Sequence, residues 1–273
     1  MSALVDAPRL ARQRRIASGF SRAASSYDAA AGLQREVADA LLAQLPAESR
    51  LTTVLDIGCG TGYVTAALAR RFGTTTLGLD LAPGMLSTAR ASLPELAIRW
   101  LAGAAERLPL AAGSVDLIAS SLALQWCDSL AAALDEAWRV LRPGGHLAFT
   151  TLCHGSLHEW QGAWRAVDGR AHVNRFLPEE TLAETLARPG WRCRLHDVTT
   201  RRCWYPDLAA ARQALKAIGA NTVIAETAPS AHTPPRGLTG RERLARLEAA
   251  FEEYRRPAGI PISYRVATVV MQR

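Results

Sequence analysis

Residues 54–62 read Val-Leu-Asp-Ile-Gly-Cys-Gly-Thr-Gly, an apolar run that passes through one acidic residue, Asp56, into three alternating glycines. The run at 54–57 is typical of a strand buried in a parallel sheet. The glycines let the chain turn sharply and let a ligand touch bare backbone. A helix is predicted from Thr61, and its free N–H groups would face that ligand. The stretch therefore predicts a strand–loop–helix ligand site.

The spacing of the glycines narrows the class of ligand. A dinucleotide-binding loop reads Gly-x-Gly-x-x-Gly and holds a pyrophosphate, whereas this loop reads Gly-x-Gly-x-Gly with Asp56 ahead of it. A carboxylate at that point suits a ligand with an ammonium group better than one with phosphates. A glycine loop is weak evidence by itself, and the alternative is a plain tight turn between a strand and a helix.

The size and composition are those of a globular protein. The 273 residues can form one domain with a full core and an insertion, and 49% of them are apolar and 21% charged. The arginine-rich start has no apolar h-region after it, and no apolar run approaches the ~20 residues of a membrane helix. Five cysteines without Cys-x-x-Cys spacing argue for a reducing compartment and against a disulfide framework or a zinc site. We therefore expect a cytoplasmic protein without a membrane span or a bound metal.

Apolar periodicity predicts the fold class. Two helices are expected within residues 9–45, then alternating strands and helices over 46–152, which is the mark of a parallel sheet with helices packed on it. The predicted strands are 53–57, 75–79, 98–101, 115–120, 146–151, 191–204 and 264–271. The predicted helices of the core and beyond are 61–72, 83–92, 130–141, 157–168, 178–187, 207–218 and 241–256, the last capped by Thr239.

The alternation breaks after residue 152. Helical and loop-rich segments at 153–190 and 206–258 interrupt the core before a terminal strand within 259–273. The sequence thus predicts a single α/β domain over 1–273, Rossmann-like, with a mostly parallel doubly wound sheet, N-terminal helices and a helical cap.

Asp80 closes the second predicted strand, 18 residues after Gly62. The carboxyl ends of neighbouring parallel strands lie together at the edge where such sheets bind ligands. A carboxylate there can accept hydrogen bonds from both hydroxyls of a ribose. The alternative is an acidic cap on the helix that follows.

Several further segments carry a family resemblance. The glycine loop, Asp80 and the turn at 141–145 resemble the S-adenosylmethionine (SAM)-dependent methyltransferases with the class I, Rossmann-like fold. The more specific segments are Phe-Ser-Arg-Ala-Ala at 20–24, Leu-Ala-Leu-Gln-Trp-Cys at 122–127, Asn-Arg-Phe-Leu-Pro at 174–178 and Leu-Lys-Ala-Ile-Gly-Ala at 215–220. Together they resemble the malonyl-acyl-carrier-protein O-methyltransferases, which open biotin synthesis, over nearly the whole chain.

The resemblance implies SAM as the cofactor, without a metal. The cofactor residues that we predict are Asp56, Gly58, Gly60, Gly62, Asp80, Leu81, Ala105, Glu106 and Leu122. Two positions depart from the family: Ala104 stands where an adenine-contacting Asp is usual, and Ser121 stands where Asn is usual. Glu106 could replace the adenine contact that Ala104 cannot make.

Transfer of a methyl group from SAM to a carboxylate is an in-line displacement that needs no general base, because the carboxylate is already a nucleophile. Catalysis then depends on orientation and desolvation. Tyr27 could close over the cofactor, and Gln125 and Trp126 follow the fourth strand near the transferred methyl group. Arg175 and Lys216 are the candidate cations for a malonyl carboxylate. The alternatives are core packing for the first three residues and surface ion pairs for the two cations.

The net charge of +7 favours an acidic partner such as a nucleic acid, an anionic lipid or an acidic protein, unless it reflects only a genomic bias toward arginine codons. The resemblance implies that the partner is an acidic acyl-carrier protein bearing a malonyl group. Candidate contact patches are Arg9, Arg12 and Arg15, Arg201 and Arg202, and Arg241, Arg243 and Arg246. We expect no nucleic acid, since the chain shows no binding module for one. The functional alternatives are a methyltransferase for another small acid or a quinone precursor, and a non-catalytic SAM-binding protein.

Overall fold

The structure, a computed structural model, describes residues 3–47, 51–168, 170–218 and 240–273. These residues form seven strands and nine α-helices. The strands are β1 (Thr53–Ile57), β2 (Thr75–Asp80), β3 (Ile98–Ala102), β4 (Val115–Ser121), β5 (Leu141–Leu152), β6 (Arg192–Tyr205) and β7 (Ile260–Gln272). The helices are α1 (Ala3–Ala30), α2 (Gly32–Ala43), α3 (Tyr63–Phe72), α4 (Pro83–Ser92), α5 (Leu130–Val140), α6 (His158–Val167), α7 (Glu179–Leu186), α8 (Leu208–Ala217) and α9 (Gly240–Glu252).

The strands form one sheet in the order β3-β2-β1-β4-β5-β7-β6. Strands β1 to β5 pair in parallel, and β7 runs antiparallel between β5 and β6. This confirms the predicted α/β fold with a mostly parallel sheet. The strand order reverses between β1 and β4, and the crevice outside such a switch point is where open α/β sheets bind ligands.

The two faces of the sheet are buried by the alternation of side chains along each strand. In β1, Val54 packs with Leu41 of α2 and Leu68 of α3 on one face. Leu55 packs with Leu134 of α5 on the other face. Neighbouring residues of a strand point to opposite faces, so a strand covered on both faces is apolar along most of its length. The apolar run at 54–57 therefore indicates a central strand of the sheet.

The predicted element boundaries differ from the observed ones where a proline or a glycine intervenes. Helix α1 begins before Pro8, although the prediction began after it. Helix α3 begins at Tyr63 and not at Thr61, because Gly62 has φ +94°, in the left-handed region that cannot continue a helix. Strand β7 begins at Ile260 and includes Pro261, which sits near the strand's start, where a missing N–H is tolerated.

Helices α6, α8 and α9 pack over the end of β7 around a second apolar cluster that includes Leu215, Phe251 and Ile262. Helix α1 lies against α4 and reaches α8, where Ser26 Oγ donates to the Ala217 carbonyl oxygen at 3.2 Å. Thr239, the predicted cap of the helix 241–256, lies outside the described residues, which resume at Gly240. Across the described ranges, no helix is both long and apolar enough to cross a bilayer.

Candidate active site

The glycine loop is held against the end of β2 by its own backbone. The N–H groups of Gly58 and Cys59 both donate to the Leu79 carbonyl oxygen, at 2.7 and 3.0 Å. Gly58 has φ +71°, and a Cβ there would lie 2.2 Å from the Ala123 Cβ. A side chain at Gly58 is therefore excluded both by the backbone angle and by the residue that follows β4.

A central pocket opens beside this loop. Its lining includes seven of the nine predicted cofactor residues, namely Gly58, Gly60, Asp80, Leu81, Ala105, Glu106 and Leu122. Ala104 also lines it. Ile16, Ala17 and Phe20 line it as well, so helix α1 covers one side of the pocket. Most of this lining is apolar, which suits a flat aromatic group such as adenine, with Asp80 and Glu106 as the two acids.

Asp80 is one of the residues that line the central pocket. Its Oδ2 accepts from the Gly60 N–H at 2.9 Å, and its Oδ1 accepts from the Ala82 N–H at 2.7 Å. The carboxylate keeps lone-pair capacity with which it can accept from a ligand hydroxyl. Burial raises the pKa of Asp80 above its ordinary value, while the three backbone N–H groups of Ala82, Gly60 and Leu81 act to lower it.

A side pocket lies on the other flank of the loop. Asp28, Gln34, Arg35, Asp56 and Thr61 are among its lining residues. Asp56 is almost fully buried and accepts from the Thr65 Oγ1 at 2.6 Å. Burial raises the pKa of Asp56 to about 7, so a cationic group beside it would favour the ionised carboxylate.

Sequence reasoning assigned no role to Asp28 and Arg35. Asp28 Oδ1 accepts from Thr61 Oγ1 of the glycine loop at 2.7 Å, and the Arg35 guanidinium lies 4.0 Å from the same oxygen. Asp28 belongs to Tyr-Asp at 27–28 and Arg35 to Leu-Gln-Arg at 33–35, two segments that also resemble the N-terminal signature of the family, and this was the one available signal. Together with Asp56 they give the side pocket both carboxylates and a guanidinium. These groups are complementary in charge to the ammonium and carboxylate groups of an amino acid.

Gly62 lines neither the central pocket nor the side pocket. A Cβ on Gly62 would lie 2.8 Å from Leu93 Cδ1 and 2.9 Å from Trp100 Cη2. The third glycine of the loop therefore makes room for packing between α3, α4 and β3.

A larger cap cavity of about 590 Å³ lies under the cap helices. Of the predicted substrate and catalytic residues, Tyr27, Gln125, Trp126 and Lys216 line it. Arg175 is exposed and does not line the cavity, although its neighbours Asn174 and Phe176 do. Its lining also includes His172 and Arg212, which sequence reasoning did not select. The rest of the wall is mostly apolar and aromatic: Phe20, Leu33, Leu122, Leu152, Leu157, Trp160, Trp164, Val173, Leu215, Ile218 and Tyr264.

The three cavities meet at Tyr27. Phe20, Tyr27, Leu122 and Trp126 line both the central pocket and the cap cavity. Among the described residues, Tyr27 alone also lines the side pocket. Burial, followed by the charges of Asp80 and Asp28, raises the pKa of the Tyr27 phenol well above its ordinary value. The Tyr27 hydroxyl therefore stays protonated and can donate a hydrogen bond at this junction.

Leu122 is held in an unusual conformation on the wall between the central pocket and the cap cavity. Its φ is +48°, a region that residues with a side chain rarely adopt. The Leu122 N–H donates to the Thr150 Oγ1 at 3.0 Å, and the Leu122 carbonyl oxygen accepts from Gln125 Nε2 at 2.7 Å. Gln125 thus fixes the backbone of this wall as well as lining the cap cavity.

The arrangement fits SAM on three observations. The sulfur of SAM carries an adenosyl group, an aminocarboxypropyl group and a methyl group, and three cavities meet at one point. The central pocket offers an apolar wall and the Asp80 carboxylate, and the side pocket offers Asp56 and Arg35. A Cβ on Gly60 would meet no atom within 4 Å, which leaves open space for a ligand against the loop backbone. The described residues contain no group of three or more His, Cys, Asp or Glu that could hold a metal ion.

Several of the arginines predicted to attract an acidic partner are held in ion pairs within the chain. The pairs are Arg9 and Arg12 with Asp128, Arg201 with Glu36, and Arg243 with Asp168. Arg15, Arg202, Arg241 and Arg246 are exposed. The positive surface offered to a partner is thus smaller than the number of predicted arginines suggests.

Comparison with known proteins agrees with this geometry. Residues 55–149 match a family model described as a methyltransferase domain. A malonyl-acyl-carrier protein O-methyltransferase of Serratia marcescens is 43% identical, over 94% of this chain and 95% of that protein. The biotin biosynthesis bifunctional protein BioHC of Cellvibrio japonicus is 42% identical over 95% of this chain, and the chain spans half the length of that protein. The crystal structure of a SAM-dependent methyltransferase from Mesorhizobium loti superposes with a TM-score of 0.52 at 21% identity, over 86% of this chain and 96% of that one.

Proposed function

The chain belongs to the family of the malonyl-acyl-carrier protein O-methyltransferases, and we propose that it transfers the methyl group of SAM to the free carboxylate of a malonyl thioester. The product is the malonyl methyl ester with which biotin synthesis begins. The observation that carries the proposal is the junction at Tyr27, where a pocket for each half of SAM meets a separate large cavity for an acceptor.

Residues of two pockets hold the cofactor. Asp80 accepts the ribose hydroxyls, while Leu81, Ala105 and Glu106 surround the adenine. In the side pocket, Asp56 and Arg35 pair with the ammonium and carboxylate groups. Bound SAM supplies an electrophilic methyl group on a sulfonium. The backbone at Gly60 could be approached closely by the cofactor, because the space that a Cβ would occupy there is open.

The protein positions the acceptor and excludes water from it. In the reaction the carboxylate oxygen forms a bond to the methyl carbon while the carbon–sulfur bond breaks, and both the negative charge and the sulfonium charge disappear. An apolar wall favours such a loss of charge, and Phe20, Leu122 and Trp126 form that wall between the two cavities. The Tyr27 hydroxyl donates to the carboxylate and orients it.

Lys216 supplies a positive charge in the cap cavity. Its helix α8 is tied to α1 next to Tyr27, since Ser26 Oγ donates to the Ala217 carbonyl oxygen. Lys216 therefore draws the malonyl group toward the junction. Arg175 contributes less to substrate binding, since its side chain is not among those that line the cavity.

The acceptor is delivered by an acidic acyl-carrier protein. The net charge of +7 favours such a partner electrostatically. The basic surface acts through exposed arginines such as Arg202 and Arg241, for which no ion pair is seen among the described residues.

The experiment that tests this function offers the purified protein SAM together with four separate acceptors: malonyl-carrier protein, malonyl-CoA, aconitate and a quinone precursor. Methylation of malonyl thioesters supports the proposal. Turnover of aconitate or of the quinone precursor alone would assign the chain to another acceptor within the same fold.

A further inference from the structure

The turn that follows β4 is held by hydrogen bonds at both peptide groups of Leu122. The Leu122 N–H donates to Thr150 of β5, to its carbonyl oxygen at 3.1 Å and to its Oγ1 at 3.0 Å. The Leu122 carbonyl oxygen accepts from Gln125 Nε2 at 2.7 Å. Leu122 has φ +48°, a conformation that a residue with a side chain keeps only where its surroundings impose it. The hydrogen bonds from Thr150 and Gln125 are the contacts that impose it.

The side-chain amide of Gln125 has a defined orientation. A carbonyl oxygen can only accept, so the amide nitrogen faces Leu122 and the amide oxygen points elsewhere. The hydroxyl of Thr151, the residue after Thr150 on β5, donates to Gln125 Oε1 at 3.4 Å. Thr151 is buried. Both ends of the amide therefore contact groups of the protein itself, and Thr151 acts on Leu122 through Gln125.

The backbone of Leu122 lies where a shift has the largest consequence for the site. Leu122 lines both the central pocket and the cap cavity. The next residue, Ala123, packs on the glycine loop at the point where Gly58 would carry a Cβ. A change in the Leu122 backbone therefore moves the wall between the two cavities together with a contact to the loop. In a reaction that depends on alignment, a misplacement of about 1 Å can lower the rate about a hundredfold.

We propose that Gln125 is a positioning residue for methyl transfer, which holds Leu122 in its left-handed conformation, and that Thr151 orients Gln125 for this role. The sequence predicted Gln125 as a catalytic residue near the transferred methyl group, whereas here it acts on the reaction through the backbone of Leu122. The inference rests on the proposed function, because it takes the two cavities beside Leu122 to hold the methyl donor and the acceptor.

Gln125→Met removes the amide and keeps the length of the side chain. We expect the single-turnover rate of methyl transfer to malonyl-CoA, with both substrates saturating, to fall about tenfold, while the Kd for SAM and the KM for malonyl-CoA change by less than about threefold. Gln44→Met, an exposed change just after α2 and outside the three cavities, is the control and should alter none of these values. An unchanged rate, or a defect confined to the KM for malonyl-CoA, would overturn the inference.

Leu122→Asn provides a rescue that a merely structural role of Gln125 would not show. Asparagine adopts positive φ more readily than leucine, so the turn keeps its conformation with less support from Gln125. Gln125→Met should therefore lower the rate by less than about threefold in the Leu122→Asn background, against about tenfold in the unaltered protein. An equal loss in the two backgrounds would contradict action through the Leu122 backbone.

Thr151→Val tests the second part of the proposal, because it removes the hydroxyl and keeps the shape of the side chain. The rate should fall about two- to threefold, as expected for one weak hydrogen bond. Because Thr151 acts through Gln125, the same change should cause no further loss in the Gln125→Met background. Losses that add up in the double variant would remove Thr151 from this role.

If the unaltered protein methylates no malonyl thioester, the proposed function fails, and the conformation of Leu122 alone decides the inference. The NMR chemical shifts of the Leu122 Cα and Cβ in isotope-labelled protein with SAM added report the sign of φ. We expect shifts of a positive φ in the unaltered protein and their loss in Gln125→Met. Positive-φ shifts that persist in the variant, or that are absent from the unaltered protein, would overturn the inference.

Discussion

The backbone N–H of Gly60 donates a 2.9 Å hydrogen bond to Oδ2 of Asp80. This bond joins the loop after β1 to the end of β2, two motifs that lie 20 residues apart in the chain. It holds the Asp80 carboxylate in the lining of the central pocket, where the lone pairs that the backbone does not use can accept from a ligand hydroxyl.

Asp80→Asn should therefore weaken SAM binding. A hydrogen bond to a charged acceptor is worth about 1.5–3 kcal/mol, so we expect the Kd for SAM to rise roughly ten- to hundredfold by calorimetry. Glu95→Gln is the matched control, an exposed acid that pairs with Arg70 at 3.4 Å. An unchanged Kd for SAM in Asp80→Asn, with the melting temperature also unchanged, would show that Asp80 does not bind the ribose.

SAM binding should depend on pH through Asp56. Its pKa is raised to about 7 by burial, and the ammonium group of SAM would favour the ionised form. Below pH 7 the free protein carries a proton on Asp56 that must leave on binding, so affinity should fall as pH falls from 8 to 6. Calorimetry in two buffers with different ionisation enthalpies measures this proton release.

Asp56→Asn should abolish the proton release, and Asp39→Asn, a change at an exposed acid that accepts from the Tyr63 hydroxyl, should not. Proton release that persists undiminished in Asp56→Asn would mean that another group titrates at the site.

Tyr27→Phe should lower kcat about tenfold with a small effect on the Kd for SAM. The change removes the hydroxyl at the junction of the three cavities but keeps the aromatic ring in their lining. Single-turnover kinetics with a malonyl thioester measures the chemical step. Tyr205→Phe, at the end of β6 and outside these cavities, is the control. If the kcat of Tyr27→Phe equals that of the control, the Tyr27 hydroxyl has no role in the reaction and the residue only packs in the site.

Lys216 and Arg175 should differ in their effect on the acceptor. Lys216→Gln should raise the KM for a malonyl thioester about tenfold, because Lys216 lines the cap cavity. Arg175→Gln should change it by less than about threefold, because Arg175 is exposed and lies outside that lining. Steady-state kinetics on the two variants measures both KM values. A larger increase in KM for Arg175→Gln than for Lys216→Gln would contradict the geometry described for residues 174–176.

The sequence was sufficient for features that depend on local pattern. The fold followed from the buried run at 54–57 and from strand–helix alternation, and the central pocket followed from Gly58, Gly60 and Asp80, whose spacing is characteristic. Contacts between distant segments were not predictable. Asp28 meets Thr61 across 33 residues, and Arg12 meets Asp128 across 116. The periodicity of apolar residues along the sequence carries no information about such contacts.

The direction in which side chains point in irregular segments also could not be predicted from the sequence. In the segment 174–176, Asn174 and Phe176 line the cap cavity and Arg175 does not. The position of the His172 ring likewise depends on its contacts with Asp168 and Trp164, which form only when α6 and the following turn fold back on each other.

The most direct test of the central claim is mass spectrometry of an acyl-carrier protein after incubation with the purified chain and methyl-labelled SAM. A malonyl-loaded carrier has a free carboxylate, and an acetyl-loaded carrier differs from it mainly in lacking one. The account predicts one labelled methyl ester on the malonyl group and no label on the acetyl-loaded carrier. Label on the acetyl-loaded carrier, or none on the malonyl group while SAM binds normally, would contradict it.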